Sequence, residues 1–422
     1  MRPFFFVLVF ASLVAETSDM FAKHWRTPLR LLSAVLFEYK PLLLPVIDLI
    51  LLALWLFSSR EGPKLRSRGL ERAIGVATMA MLVWSVWGIA RGGLFYQIQF
   101  QLHAWGMAFV CALLMHKILY TPAHFYTFAK VVIAAALIRA VMCIAFYVLV
   151  LREGVLKTLP EFITTHDDTV LFVSAIMAVV INAIERPTGK NFRLAAGVGV
   201  IMLLAIQFNN RRLAWVSLGG SLLLSYLMIP AGTFKRRLHR AFLMATPVLL
   251  LYVVLGWGRP ESVFKPLRAL DTVSGEKDPS TLSRDAENQG LLVTLTKNPT
   301  FGTGWGHEYL EVDSTLSAGT AFKQYRYLPH NSVLALLAFA GMFGFAATWM
   351  VFPISAYLSA RAHRYCRDPL VRSVALMSLC EVVICISQWW GDMGMISFSS
   401  GILVAAAFAA GSRMSAYEDG VP

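Results

Sequence analysis

The chain is poor in charge. Only 15% of its 422 residues are Asp, Glu, Lys or Arg, against roughly 25% in an ordinary soluble domain. It also lacks the alternation of polar and apolar positions that a membrane β-barrel requires, because its apolar runs are apolar on every face. No internal repeat, inverted duplication or low-complexity tail is visible, which speaks against transporters built from repeats. Cysteine is scarce. Cys111, Cys143, Cys366, Cys380 and Cys385 fall in apolar runs or a basic loop, so no exported disulfide framework is expected. Cys380 and Cys385 stand five apart on one run and face different sides of a helix, which suits packing better than a metal pair.

What the chain does have is hydrophobicity, at 57% of its residues. Runs of about 20 apolar residues, the length that crosses a bilayer as a helix, recur from end to end. They centre on 2–15, 41–57, 73–90, 104–120, 128–151, 168–185, 194–208, 213–230, 241–257, 331–358, 371–389 and 396–411. The fold expected is all-α, a polytopic membrane protein of about 12 transmembrane helices. The first run also resembles a signal peptide and is read as a retained span. Residues 16–40, carrying Lys23, Arg26, Arg30 and Lys40, form an amphipathic stretch suited to the membrane interface.

The formal charge of +13 invites a nucleic-acid reading, but its placement excludes one. The cations gather in four loops: Arg60, Lys64, Arg66, Arg68 and Arg72; Arg186, Lys190 and Arg193; Lys235, Arg236, Arg237 and Arg240; Arg361, Arg364, Arg367 and Arg372. An even number of runs separates each cluster from the next, so all four lie on one side, and the positive-inside rule makes that side cytoplasmic. The same parity divides the chain into spans 1–257, an outer loop over 258–328, and spans with a cytoplasmic tail over 329–422. The outer loop is close to neutral, with eight Lys/Arg and nine Asp/Glu. Its Ser280–Lys297 stretch reads as a helix, in which Asp285, Asn288 and Gln289 interleave with Leu291, Leu292, Val293 and Leu295.

Chemistry-bearing residues concentrate on that outer side. Pro329-His330-Asn331 opens a long apolar helix and sets an imidazole, which titrates near neutrality, at the boundary of water and lipid. Asn209-Asn210-Arg211-Arg212 joins two spans through a short outer turn. Two cations there run against the positive-inside rule, and a phosphate group is their natural partner because the guanidinium fork matches its oxygens. The bland alternative is snorkelling to lipid headgroups. Arg284, in Ser283-Arg284-Asp285, reads by itself as half of a solvated ion pair. Gly302, Gly304 and Gly306 allow backbone to approach a ligand or a neighbouring helix closely. Arg139, Asp48 and Glu381 lie within spans, with Arg91 and Asp392 at span ends, and such groups are functional candidates or packing pairs. His166-Asp167-Asp168 offers metal-ligand chemistry, yet three consecutive residues at a helix start rarely converge, and acids there suit the helix dipole. Gly219-Gly220 and Gly341-Met342-Phe343-Gly344 are read as helix-packing surfaces.

Three of these stretches, in this order, resemble the O-antigen ligase and O-antigen polymerase superfamily of bacterial membrane glycosyltransferases. Gln207-Phe208-Asn209-Asn210-Arg211-Arg212-Leu213-Ala214 is similar to the family's arginine turn. Ser283-Arg284 with Asn298-Pro299-Thr300-Phe301-Gly302-Thr303-Gly304-Trp305-Gly306 resembles the start of its large periplasmic loop. Pro329-His330-Asn331-Ser332-Val333-Leu334 resembles its His-Asn motif. The turn departs from the family in having two arginines, so either Arg211 or Arg212 is the equivalent. The loop departs in having Asn288 or Gln289 where an aromatic commonly follows the arginine.

The resemblance implies a membrane-embedded glycosyltransferase-like fold in the bacterial inner membrane and an inverting, metal-independent transferase without a cofactor. Its donor would be a polyprenyl-diphosphate-linked glycan and its acceptor a second glycan or lipid A core. His330 would act on the acceptor hydroxyl, while Arg211, Arg212, Arg284 and Asn331 would bind substrate; Arg139 and Arg91 are further substrate-binding candidates as charges within or at the end of spans. Polymerase and ligase remain open at this point. The competing classes are a flippase or transporter of lipid-linked oligosaccharide, a peptidoglycan-polymerase-type enzyme, which would rely on an external acid, and a scaffold without catalysis.

Overall fold

A computed structural model of the chain describes residues 1–16, 28–59, 68–151, 163–259, 262–264, 267, 279–313, 323–392 and 397–417. Lys23, Arg26, Arg60, Lys64, Arg66, Gly275 and Met395 lie outside these residues. Among the described residues the chain is helical and contains no strand.

In chain order the main helices are α1 (Arg2–Ala15), α2 (Pro28–Ser33), α3 (Val46–Phe57), α4 (Gly69–Ala90), α5 (Phe95–Ile118), α6 (Pro122–Phe146), α7 (His166–Glu185) and α8 (Gly189–Asn209). They continue with α9 (Arg212–Met228), α10 (Thr233–Gly256), α11 (Pro279–Lys297), α12 (Ser332–Trp349), α13 (Val351–Tyr365), α14 (Pro369–Gly391) and α15 (Phe398–Met414). Eight helical stretches among the described residues are long and apolar enough to cross a membrane: α4 to α8, the greater part of α10, α12 continued by α13, and α14. The four other expected runs form shorter helices, α1, α3, α9 and α15.

Polar side chains at the starts explain several boundaries. Thr121, Thr188, Asp368 and Ser397 accept the N–H of His124, Asn191, Leu370 and Ser400 at 3.3, 3.2, 2.8 and 3.0 Å, satisfying first-turn donors that have no partner within the helix. Pro122 and Pro369 occupy first positions, where a missing N–H costs nothing.

Helix α14 is the centre of the bundle, packed by α7, α9, α13 and α15, while α15 also lies along α5. Trp389, Phe352 and Trp105 meet edge to face near its Gly391 end, with centroids 5.2–6.1 Å apart. By contrast α10 is exposed along nearly its whole apolar length, with Met244, Val248 and Val254 68–74% exposed, as befits a helix surrounded by lipid. Ion pairs mark the two ends of the bundle. At one end Glu185, closing α7, takes His363 Nε2 at 2.8 Å and Arg372 Nε at 2.7 Å, so it ties α13 and α14 together. His166 and Asp392, at the opposite termini of α7 and α14, face each other at the other end.

The glycine-rich segment after α11 docks into a broken helix. Gly341 interrupts α12 with φ 62°, about 14 Å along from Ser332 at 1.5 Å per residue. Backbone groups left without helical partners there are taken by the incoming segment. Met342 N–H donates to Pro299 O at 2.9 Å and Phe343 N–H to Thr300 O at 3.2 Å, while Phe339 O accepts Gly304 N–H at 2.8 Å. Irregular backbone within an apolar helix needs its polar groups satisfied by protein, and the incoming segment supplies these partners around the buried Gly302, Gly304, Phe339 and Gly341. A Cβ on Gly302 would lie 2.4 Å from Phe339 O, and one on Gly341 2.4 Å from Gly302 N. The neighbour that Gly302 and Gly304 approach is therefore helix backbone. Gly344 of the same helix packs on the Trp84 ring of α4, a helix-packing contact as expected.

Candidate active site

Five elements meet at the end of the bundle away from the Glu185 cluster: the start of α7, the α8–α9 turn, the end of α14, α11, and the start of α12. The turn shows how the sequence places a cation. Asn209, 1% exposed, accepts the N–H of Thr164 through Oδ1 at 2.7 Å and fastens the lead into α7. Asn210 then adopts the left-handed conformation, φ 58°, which asparagine tolerates better than most residues. The chain reverses in that one step, and Arg211 and Arg212 part company. Arg211 turns inward and Arg212 becomes the exposed first residue of α9.

Arg211 Nη1 lies 3.4 Å from Asp392 Oδ2, and its Nη2 donates to Thr164 O at 3.2 Å. Arg284, from α11, brings Nη2 to 3.9 Å from the same Asp392 oxygen and donates through Nη1 to Gly391 O at 2.9 Å. His166 Nδ1 approaches the other oxygen at 3.9 Å. Two guanidinium groups from separate elements thus share one carboxylate. Their planar forks suit the oxygens of a phosphate.

One helical turn beyond Arg284 stands Glu287, 2% exposed. Its Oε2 is 2.9 Å from His330 Nδ1, and its Oε1 accepts the backbone N–H of His330. Residues three apart on a helix are neighbours at about 5–6 Å between Cβ atoms, so α11 sets the imidazole beside the paired arginines. Tyr325 closes the gap from the third side, with its ring 5.0 Å from that of His330. Burial, and then the carboxylates of Asp392 and Glu287, push the Tyr325 phenol above its ordinary value. Asn331 caps α12 by accepting Leu334 N–H at 3.0 Å; its Nδ2 is buried without a hydrogen-bond partner among the described residues.

Of the residues singled out in the sequence, the structure brings together His330, Asn331, Arg211 and Arg284. Arg212 starts the adjoining helix. Arg139 and Arg91 stand elsewhere. Arg139 is fully buried and donates through Nε and Nη2 to the two oxygens of Asp168 at 2.9 and 2.6 Å, joining α6 to α7. Arg91 ends α4, lies over the Trp87 ring at 5.3 Å and reaches Asn298 Oδ1 at 3.4 Å. His166 and Asp167 stay together at 3.3 Å, with His166 facing Asp392, while Asp168 turns away to hold Arg139. Within the spans, Asp48 pairs with His103, and Glu381 accepts Ser174 Oγ at 2.9 Å.

Glu287 and Tyr325 were not singled out in the sequence, and His166 was weighed there only as part of a metal-ligand triplet. For Glu287 a signal existed. Arg284, Glu287, Leu291 and Thr294 share the spacing of one helix face, and an acid on a face that buries Leu291 and Thr294 needs a partner. A cavity of about 130 Å³ opens far from this cluster, toward the Glu185 end. It is lined by α6, α7, α14 and α15, with Phe125, Asn182, Met377 and Glu381 among its walls, and holds none of the site residues.

A search among curated proteins returned no match. Residues 197–349 match the family model described as O-antigen ligase. The matched stretch runs from within α8 to the end of α12, and so contains the arginine turn, Arg284, Glu287, the docked glycine segment and His330, while His166 and Asp392 lie outside it. Through residues 197–349 the chain is similar to the O-antigen ligase family, within the ligase and polymerase superfamily of membrane proteins that assemble O-antigen polysaccharide.

Proposed function

We propose that the protein is an inner-membrane glycosyltransferase that moves a glycan from a polyprenyl-diphosphate donor to an acceptor hydroxyl on the periplasmic side. The observation that carries this reading is the single cluster in which Arg211 and Arg284 converge on Asp392 one helical turn from the Glu287–His330 pair. The arginines hold the diphosphate, with Arg211 rather than Arg212 as the turn's contribution, and stabilise the charge that develops as the sugar departs. His330 accepts the proton of the attacking hydroxyl, the acceptor oxygen bonds to the anomeric carbon, and the electron pair of the broken bond stays on the diphosphate. Attack from the face opposite the leaving group inverts the anomeric centre. The protein uses no metal in this scheme, because the two guanidinium groups meet the diphosphate charge. Asn331 Nδ2 is placed to donate to acceptor or donor sugar.

The helix ends support the outer position. The cluster lies at the ends of α7 and α14 opposite Glu185 and Arg372, beside which the basic loops fall, and basic loops remain in the cytoplasm. Residues 258–328 then form the periplasmic loop between the spans of 1–257 and 329–422. Transport of a lipid-linked oligosaccharide is the weaker reading, because the paired groups sit at one surface and not at mid-membrane.

Purified protein incubated with a polyprenyl-diphosphate oligosaccharide and lipid A core decides the matter on a gel. A ladder of lengthening lipid-linked glycan establishes a polymerase, and modified lipid A core a ligase. Intact donor with neither product contradicts transfer.

A further inference from the structure

Histidine can serve as a base through only one ring nitrogen at a time, and which one depends on what holds the other. We propose that Glu287 is a positioning residue that locks His330 in the Nδ1–H tautomer and presents Nε2 to the acceptor hydroxyl. This rests on the transferase reading of the same site.

Three observations support it. Glu287 is 2% exposed, so its carboxylate must be satisfied by protein donors, and His330 supplies two of them: its backbone N–H to Oε1 and its ring Nδ1, 2.9 Å from Oε2. A carboxylate oxygen only accepts, so the proton of that contact belongs to Nδ1, and Nε2 keeps its lone pair. The grip is also rigid. Backbone and ring of His330 are held by one side chain, and Tyr325 lies against the ring at 5.0 Å. Such bidentate anchoring fixes both the position of the residue and the direction of its ring, as pre-organised catalysis requires. Arg284 one turn away on the same helix couples this arrangement to the leaving-group site: α11 carries both the group that holds the base and a cation for the diphosphate. During transfer Nε2 takes the hydroxyl proton, and the resulting imidazolium is stabilised by the Glu287 carboxylate.

The experiment compares wild type, Glu287→Gln and Glu287→Asp in two readouts. The first is the ¹⁵N signals of His330 in protein labelled at histidine, assigned by loss of signal in His330→Gln and read without substrate. In wild type, above the ring's titration, Nδ1 is expected to be protonated and Nε2 bare. Glu287→Gln offers an amide that donates as well as accepts and is expected to give a mixture of tautomers, whereas Glu287→Asp keeps the wild-type pattern in part. The second readout is transfer rate against pH. Glu287→Gln is expected to lose about 10²–10⁴-fold at a thermal midpoint near that of wild type, with Glu287→Asp recovering part of the loss. Nitrogen signals unchanged in Glu287→Gln would overturn the proposal, as would an altered tautomer with an unaltered rate profile. Because the signals are recorded without donor or acceptor, a wild type that transferred nothing would count against the transferase reading alone.

Discussion

At the scale of single residues, Asn210 decides which arginine faces Asp392. Its left-handed backbone turns Arg211 toward Asp392 and leaves Arg212 exposed at the start of α9. Arg211→Ala is therefore expected to lower transfer by about 10²–10³-fold, the usual effect of removing one donor to a developing anion, while Arg212→Ala costs about tenfold or less. Initial rates on matched amounts of inserted protein distinguish the two, and the reverse ranking would move the diphosphate site to Arg212. Side-chain type and spacing made both arginines legible as candidates. Their separation was not, because it depends on one backbone angle that asparagine permits but does not dictate. His330 was legible for the opposite reason: a Pro-His-Asn triplet before a long apolar run has one place to go. Arg139 looked like a ligand for substrate because it is a charge within a span, yet its fork is taken by Asp168, an acid read as a dipole partner. Arg139→Gln should destabilise the fold by about 3–5 kcal/mol, since it strands a buried carboxylate, and replacing both partners with apolar residues should restore much of the loss. Thermal unfolding in detergent micelles measures both variants; a stable Arg139→Gln protein with impaired substrate binding would instead return the residue to the substrate.

At the scale of elements, the docking of residues 299–306 into α12 holds the site together. The segment joins α11, which carries Arg284 and Glu287, to the helix that begins just after His330. Gly302→Ala combines a positive φ with a Cβ 2.4 Å from a carbonyl oxygen, so it is expected to cost about 2–4 kcal/mol and to expose the segment to protease. Protection equal to wild type would show that the docking is dispensable. The sequence announced a close backbone approach at Gly302, Gly304 and Gly306 and a helix-packing surface at Gly341 and Gly344, but not that the two groups meet. That pairing is long-range, made by backbone hydrogen bonds, and backbone groups carry no signature in residue type. The α11 helix was legible almost to its ends, because its polar and apolar positions alternate at helical spacing and Pro299 follows its last turn.

At the scale of the whole molecule, hydropathy announced the all-helical architecture and located the runs. Their lengths were less legible: α1, α3 and α9 fall short of a full crossing by themselves, and residues 331–358 divide at Gly341 and again at Met350. The topology makes a further prediction. The five native cysteines are buried, so single introduced cysteines can be labelled with little background. A membrane-impermeant thiol reagent added to intact spheroplasts should modify Ser283→Cys but reach Thr188→Cys, in the turn beside Arg186, only after the membrane is opened. Labelling in the opposite order would place the cluster in the cytoplasm.

The central claim is that the cluster around His330 performs glycosyl transfer and is not merely a knot that holds the outer end of the bundle. The most direct measurement is the single-turnover transfer rate of His330→Ala beside wild type, with lipid-linked donor and acceptor in excess and thermal midpoints recorded on the same preparations. A rate reduced by about 10²–10⁴-fold on folded protein is expected, in line with the loss of a general base, with a lowered midpoint because the buried Glu287 loses its imidazole partner. A rate equal to wild type on folded protein would contradict it.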